Sequence, residues 1–233
     1  SGRTRNNPWR AGYVKAKGEM TKMTGTVRTP DAVVFDVGGV LGASGPGANF
    51  HALLRQLPGW ADCPGDALNA ALQAPRPDYD RGSLDDEGYW AAVAAGLGRA
   101  RLNATQIAPL VAADIDHYTT WDLAAATLFT TLRQVGQRLA ILSNAPRAHV
   151  AALAALPVAA GVPAVISSVT GVLKPEPRAF LLMNTKLGLT PLSDGSRIVF
   201  FDDHLPNIEA AKALGWDAHL WAGAPEAAAF LRC

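Results

Sequence analysis

Short runs of consecutive apolar residues recur along the chain, and a segment with helical spacing follows most of them. Continuous apolar runs are typical of strands that are buried on both faces of a parallel sheet. We therefore predict strands at residues 32–35, 138–142, 164–167, 197–201 and 217–221. Helical segments between the later strands lie at 122–135, 147–156, 176–188 and 206–214. This alternation predicts an α/β fold with a doubly wound parallel sheet.

The stretch between the first and second predicted strands breaks this alternation, because it contains helical patterns only. The patterns lie at residues 47–57, 64–73, 83–96 and 104–118. Segments rich in proline or glycine separate them at 42–47, which we interpret as a flexible hinge, and at 74–82. Ser83 and Asp86 have the spacing of a capping box at one helix start.

A helical insertion directly after the first strand is best explained as a cap over the carboxyl ends of the strands, where open α/β sheets bind ligands. We therefore predict a cap at 43–121 and a core formed by 30–42 and 122–233. Residues 1–29 contain seven of the 21 basic side chains and one of the 20 acidic ones. Such a basic arm could contact nucleic acid or a membrane, but we interpret it as a disordered leader that folding and catalysis do not need.

The composition is that of a globular enzyme, with 49% hydrophobic and 18% charged residues. No apolar run reaches the roughly 20 residues that a membrane-spanning helix needs. Cys63 and Cys233 are the only cysteines, so neither a disulfide framework nor a zinc site is indicated. We expect a cytoplasmic protein that does not bind nucleic acid, and the sequence leaves its oligomeric state open.

Four short segments at or beyond the ends of predicted strands contain polar residues suited to catalysis. These residues are Asp36, Ser143 with Asn144, Lys174, and the pair Asp202 and Asp203. Carboxylates at the ends of hydrophobic strands are costly unless a metal, a cation or hydrogen bonds receive them. Three carboxylates and a lysine at one sheet edge suit Mg²⁺ together with a phosphate group, because Mg²⁺ prefers oxygen ligands and often shares phosphate oxygens. A carboxylate can also attack phosphorus, while lysine, metal and serine stabilise the phosphoryl oxygens.

In this order the four segments resemble the motifs of the haloacid dehalogenase superfamily, in the branch with a helical cap after the first motif. The likeness spans about residues 31–222. It implies a phosphatase that hydrolyses a small-molecule phosphate ester through an aspartyl-phosphate. By this resemblance Asp36 is the nucleophile and Lys174 is a catalytic residue that also binds phosphate together with Ser143 and Asn144.

The same resemblance implies a Mg²⁺ cofactor and its ligands. Asp36 and Asp203 would bind the ion directly, Asp202 would act through water, and the Gly38 carbonyl would supply a main-chain ligand. Many relatives have a second aspartate at the position of Gly38, where it acts as general acid and base. A positioned acid contributes roughly 10²–10⁴-fold, so we expect a preference for esters with good leaving groups.

Several other interpretations stay open at the level of sequence. Each segment taken alone also fits a structural role, such as a turn at Asp36 or a helix cap at Asp202. A 2-haloacid dehalogenase would use Asp36 to attack carbon, but that chemistry needs no cation and leaves the acidic pair unexplained. A signalling receiver domain has its acidic pair at the first strand and no large insertion. A catalytically silent binding protein would be consistent with Gly38.

Overall fold

The fold was analysed in a computed structural model that describes residues 29–43 and 47–232. Five parallel strands form one sheet in the order β3-β2-β1-β4-β5. The strands are β1 (Ala32–Phe35), β2 (Leu139–Ser143), β3 (Ala164–Ile166), β4 (Ile198–Asp202) and β5 (Asp217–Leu220). The predicted α/β class with a parallel sheet is therefore confirmed, and each strand lies within two residues of its predicted bounds.

Among the residues that the structure describes between β1 and β2, there are helices and isolated bridges but no further strand of the sheet. The first five helices are α1 (Ala48–Gln56), α2 (Gly65–Gln73), α3 (Arg76–Arg81), α4 (Asp86–Gly96) and α5 (Ala104–Thr119), and we call them the inserted helices. They share a hydrophobic cluster of their own, which includes Phe50, Leu54, Trp60, Trp90 and Leu110. The division into a cap and a core stays a prediction, and this separate cluster is the observation that favours it.

The remaining helices follow in chain order along the sheet. They are α6 (Leu123–Gln134), α7 (Arg147–Ala155), α8 (Ser167–Thr170), α9 (Pro177–Leu187), α10 (Pro191–Asp194), α11 (Leu205–Ala213) and α12 (Ala224–Leu231), with a 3-10 turn at Pro157–Ala159. Alternate residues of β1 point into different clusters, with Val34 beside Phe180 and Phe200, and Val33 in the cluster of Phe129. Burial on both faces explains why this strand is apolar throughout.

Two predictions about the inserted helices are wrong. Residues 76–81 form α3, so the interpretation of the segment 74–82 as a loop between helices is wrong. Pro77 does not interrupt this helix, because it lies in the first turn, where proline is tolerated. Helix α4 begins at Asp86 with Asp85 as its cap, and the Asp85 carboxylate accepts a hydrogen bond from the Gly88 amide. The predicted capping role of Ser83 is therefore wrong.

Helices α3 and α5 connect the inserted helices to the rest of the protein, since α3 contacts α8 and α5 contacts α7. None of the described helices has the length and hydrophobicity that crossing a membrane requires. The predicted leader, apart from residue 29, lies outside the described residues, as do residues 44–46 of the predicted hinge.

Candidate active site

Residues from three neighbouring strands meet at the carboxyl edge of the sheet. Asp36 directly follows β1, Ser143 is the last residue of β2, and Asp202 is the last residue of β4. The Asp36 amide donates to the Phe201 carbonyl over 3.0 Å, so the β1–β4 ladder extends to the aspartate itself. The parallel topology thus brings together residues that are more than 100 positions apart in the sequence.

Lys174 joins the two buried aspartates. Its ammonium nitrogen lies 2.8 Å from Asp36 Oδ2 and 2.6 Å from Asp202 Oδ2. The main chain of Lys174 is fixed by Asn144, whose Oδ1 accepts from the Lys174 amide and whose Nδ2 donates to the Lys174 carbonyl, both over 2.9 Å. In this geometry Asn144 positions the lysine through its backbone.

Asp202 is fully buried, and both of its carboxylate oxygens accept hydrogen bonds from the protein. Oδ2 accepts from Lys174. Oδ1 accepts from the His204 amide over 2.8 Å and from Asn207 Nδ2 over 2.9 Å. Asp202 is therefore held by three donors, and His204 contributes through its main-chain amide.

The third acidic residue, Asp203, is exposed and completes a cluster of carboxylates. One oxygen each of Asp36, Asp202 and Asp203 lies within 4.8 Å of the others. When all three carboxylates are ionised they carry three negative charges, and the Lys174 ammonium neutralises one of them. The group of four side chains then has a net charge of −2. Oxygen donors of this charge fit a hard divalent cation such as Mg²⁺.

The pKa values of the cluster show the cost of gathering these charges. Burial raises the pKa of Asp36 to about 7, against the opposing influence of the Lys174 ammonium. Burial and the charge of Asp202 raise the pKa of Asp203 as well. Burial by itself would lower the pKa of Lys174, but the two aspartates raise it, so the lysine stays charged. A cation beside these carboxylates would favour their ionised forms.

Two glycines after Asp36 have different steric roles. Gly39 has a φ of +72°, and a Cβ there would collide with the Asp203 carboxylate. A Cβ on Gly38 would meet no atom within 4 Å. The positive φ favours glycine at position 39, and a side chain there would displace the Asp203 carboxylate, whereas the space beside Gly38 could accept a side chain.

Ser143 has a hydrogen-bond partner that the sequence analysis did not single out. The Tyr118 hydroxyl, from the last turn of α5, lies 3.2 Å from Ser143 Oγ, and both residues are buried. Nothing in the spacing of these two residues, 25 positions apart, indicated the contact.

A second group of polar residues that the sequence analysis missed lies between the inserted helices and α7. Arg76 Nε donates to Asp80 Oδ1 over 2.8 Å, and its Nη1 lies 3.5 Å from Asp114 Oδ2. The same Asp114 oxygen lies 3.3 Å from Nε2 of His149, which is buried on α7. The spacing of Arg76 and Asp80 by four residues was the available signal, but their segment had been interpreted as a loop.

A parallel α/β fold with an acidic cluster at the carboxyl edge of its sheet agrees with the comparison with known families, which gives a class of hydrolases. Residues 30–215 match the family of haloacid dehalogenase-like hydrolases. Because the match covers most of the 233 residues, the chain belongs to this family. The family assignment made from the four motifs is therefore confirmed. The search of curated proteins found no match to the chain.

Solved structures of two kinds resemble this fold. The family enzyme bt-2542 from Bacteroides thetaiotaomicron is 17% identical, with a TM-score of 0.67 over 88% of this chain and 100% of its own. A structure of the same enzyme in complex with magnesium and inorganic phosphate is 17% identical and has a TM-score of 0.59. That match covers 82% of this chain and 93% of the enzyme. The L-2-haloacid dehalogenase from Xanthobacter autotrophicus, with chloropropionic acid covalently bound, is 23% identical and has a TM-score of 0.57. That match covers 83% of this chain and 78% of the dehalogenase. At these identities the likeness shows the fold alone.

Proposed function

We propose that this protein is a Mg²⁺-dependent phosphatase that removes phosphate from a small-molecule ester. The observation that supports this proposal most strongly is the acidic cluster of Asp36, Asp202 and Asp203 beside Lys174. An enzyme that attacks carbon with one aspartate needs no cation, so it does not need two further carboxylates to bind one. A phosphatase needs them, because the phosphoryl group is negatively charged and requires a cation beside it.

The proposed reaction begins with attack of the Asp36 carboxylate on phosphorus. The new bond joins an Asp36 oxygen to phosphorus, the bond from phosphorus to the ester oxygen breaks, and the leaving alkoxide takes a proton from solvent to become the alcohol. Water then attacks the aspartyl-phosphate, which releases inorganic phosphate and restores the carboxylate. The covalent intermediate divides one difficult hydrolysis into two easier steps.

The other residues stabilise charge and fix geometry in this proposal. The Lys174 ammonium neutralises phosphoryl oxygens while it holds Asp36 in place, and Ser143 donates a hydrogen bond to one of these oxygens. Asp36, the Gly38 carbonyl and Asp203 would hold Mg²⁺, with Asp202 acting through water because its oxygens already accept hydrogen bonds. The bound ion would supply positive charge beside the phosphoryl group. The complex of bt-2542 with magnesium and phosphate supports this assignment of cofactor and ligand class.

A panel of phosphate esters tests the proposal. Sugar, nucleotide, acid and aryl phosphates are incubated with the protein in Mg²⁺ and, in parallel, in EDTA, and released phosphate is measured. We expect release from at least one class in Mg²⁺ and loss of that release in EDTA. Absence of release from every class, with folded protein, would contradict the proposal and favour a silent binding protein.

A 2-haloacid dehalogenase is the second candidate, because the Xanthobacter autotrophicus enzyme shares this fold. In that reaction the Asp36 carboxylate would displace halide from carbon, and water would then hydrolyse the resulting ester. Chloride release from L-2-chloropropionate, measured in EDTA, separates the two candidates. Release without a divalent cation would favour the dehalogenase, and its absence alongside Mg²⁺-dependent phosphate release would favour the phosphatase.

A further inference from the structure

Tyr118 connects the inserted helices to Ser143, a residue of the proposed chemistry. It lies in the last turn of α5, where the chain returns towards the sheet, and its side chain is buried. Its hydroxyl lies 3.2 Å from the oxygen of Ser143, the residue that ends β2. The contact therefore joins an inserted helix to the edge of the sheet where Asp36 lies.

The surroundings hold Tyr118 in a single place. The His149 ring lies edge-on to the Tyr118 ring, with centroids 4.6 Å apart and an interplanar angle of 84°. The backbone is equally confined, because a Cβ on Gly42 would come within 2.7 Å of the Tyr118 carbonyl oxygen. Asp114, one turn earlier on α5, lies 3.3 Å from the same histidine. Packing on the ring and on the backbone thus places the Tyr118 oxygen beside Ser143.

In this hydrogen bond the Tyr118 hydroxyl is the donor and Ser143 Oγ is the acceptor. Burial raises the pKa of Tyr118, so the hydroxyl keeps its proton and can donate it. Ser143 Oγ then acts as the acceptor. A hydroxyl that accepts one hydrogen bond still has its own hydrogen available for another acceptor. In this arrangement the Ser143 hydrogen is available to a phosphoryl oxygen, and the chain of two hydrogen bonds strengthens both.

We propose that Tyr118 is a positioning residue that orients the Ser143 hydroxyl to donate to the phosphoryl group. This inference rests on the proposed phosphatase function, in which Ser143 binds phosphate. Without the tyrosine hydroxyl, Ser143 can rotate its own proton towards other acceptors, and the donor to the phosphoryl oxygen is no longer fixed. Tyr118 itself need not contact the substrate.

A double-mutant cycle tests this inference with Tyr118→Phe, Ser143→Ala and the double variant. Affinity for inorganic phosphate is measured by calorimetry in saturating Mg²⁺, and kcat and KM are measured with p-nitrophenyl phosphate. We expect Tyr118→Phe to lower phosphate affinity and kcat/KM by about 5- to 10-fold, the range of one hydrogen bond. In the Ser143→Ala background the same change should cost less than about 2-fold, because residues that act together are not additive.

Tyr89→Phe is the matched control. Tyr89 is also a buried tyrosine of the inserted helices, but its hydroxyl donates to the Leu72 carbonyl over 3.1 Å. Loss of that hydroxyl should affect melting temperature as Tyr118→Phe does and leave phosphate affinity and kcat/KM unchanged. The control separates loss of a buried hydroxyl in general from loss of the contact with Ser143.

The outcomes distinguish this inference from the proposed function. If the wild-type protein binds phosphate and hydrolyses the ester, an unchanged Tyr118→Phe variant overturns the positioning role alone. Losses that add fully in the double variant also overturn it, because Tyr118 would then act independently of Ser143. If the wild-type protein neither binds phosphate nor hydrolyses any ester, the proposed function fails and the role of Tyr118 fails with it.

Discussion

At the scale of single residues, Lys174 links the two buried carboxylates of the site, because its ammonium contacts both of them. It is buried beside Asp36 and Asp202, and Asn144 fixes its backbone. The carboxylate of Asp202 is also fixed by His204 and Asn207. Asp203 faces solvent instead. This difference between neighbouring aspartates gives them separable roles.

We expect Asp203→Ala to abolish Mg²⁺ binding with little loss of stability, because the residue is exposed. Asp202→Ala should weaken Mg²⁺ binding less, but it should lower the free energy of unfolding by about 2–4 kcal/mol, since the buried Lys174 loses a charged partner. Calorimetric titration with Mg²⁺ and urea unfolding measure the two effects. Equal or reversed losses of metal affinity would contradict these roles.

Gly38 allows a test of the missing general acid. No atom lies within 4 Å of a Cβ at this position, so an aspartate can be introduced without a clash at that atom. We expect Gly38→Asp to speed hydrolysis of alkyl phosphates more than aryl phosphates, because a basic leaving oxygen needs protonation most. The gain should stay below the roughly 10²–10⁴-fold of a positioned acid.

Gly38→Asn is the control for this substitution, since it has nearly the same size and donates no acidic proton. Rates are compared across esters of graded leaving-group pKa, with chemistry shown to be rate-limiting. A wild-type rate that does not depend on leaving-group pKa would contradict the prediction, because another group would then already supply the proton.

The sequence predicted the residues of the acidic cluster but not their supporting contacts. The geometry brings together Asp36, Ser143, Lys174 and the two later aspartates because the carboxyl ends of parallel strands share one edge. Their catalytic roles stay predictions. The contact of Tyr118 with Ser143 had no signal in the sequence, because it depends on how α5 returns to the sheet.

At the scale of elements, the strands were the easiest to predict, because a run buried on both faces is apolar throughout. Helix α3 was missed because proline and glycine near both ends resembled a loop. Its end contacts the rest of the protein closely: Arg81 Nη1 donates to the Gly171 carbonyl over 3.0 Å, and its Nη2 lies 2.6 Å from Glu176. These contacts make α3 a docking element of the inserted helices.

Gly82, which ends α3, tests this docking. It has a φ of +80°, and a Cβ there would lie 2.7 Å from the Ser168 carbonyl oxygen. We expect Gly82→Ala to lower the free energy of unfolding by about 1–2 kcal/mol for its backbone conformation, and by a further 1–3 kcal/mol, approximately, for the steric clash. Urea unfolding measures the change.

Gly98→Ala is the matched control, because Gly98 also has a positive φ, of +63°, but a Cβ there meets nothing within 4 Å. It should show only the backbone cost of about 1–2 kcal/mol. Equal losses in the two variants would mean that a Cβ at position 82 meets no steric clash with Ser168.

At the scale of the whole molecule, the inserted helices have a hydrophobic cluster of their own, and they contact the α/β core at the candidate site through Tyr118. Division into core and cap was predicted from the break in the strand–helix alternation, and the separate cluster agrees with it. The details of the junction could not be predicted, because contacts such as that of Asp114 with His149 join residues 35 positions apart in the sequence.

Mg²⁺ should stabilise the whole molecule, because it binds the folded cluster and has no matching site in the unfolded chain. At 100 times its dissociation constant, Mg²⁺ should add about 2.7 kcal/mol to the free energy of unfolding. For a protein of this size that corresponds to a rise in melting temperature of about 5–10 °C. Asp203→Ala is the control, and an identical rise in that variant would place the stabilising ion elsewhere.

Capture of the covalent intermediate tests the central claim, that Asp36 attacks phosphorus. The protein is mixed with an aryl phosphate and Mg²⁺, quenched in acid during turnover, and digested with pepsin at low pH, because an acyl phosphate hydrolyses at the alkaline pH that trypsin needs. We predict a phosphoryl group on the peptide that contains Asp36, localised to that residue by fragmentation. The Asp36→Asn variant should be folded, as judged by circular dichroism, but it should carry no phosphoryl group and be inactive. Asp85→Asn is the control and should behave as wild type, because Asp85 caps a helix and asparagine can also fill that role. Turnover that persists in Asp36→Asn, or a phosphoryl group on another residue, would contradict the account.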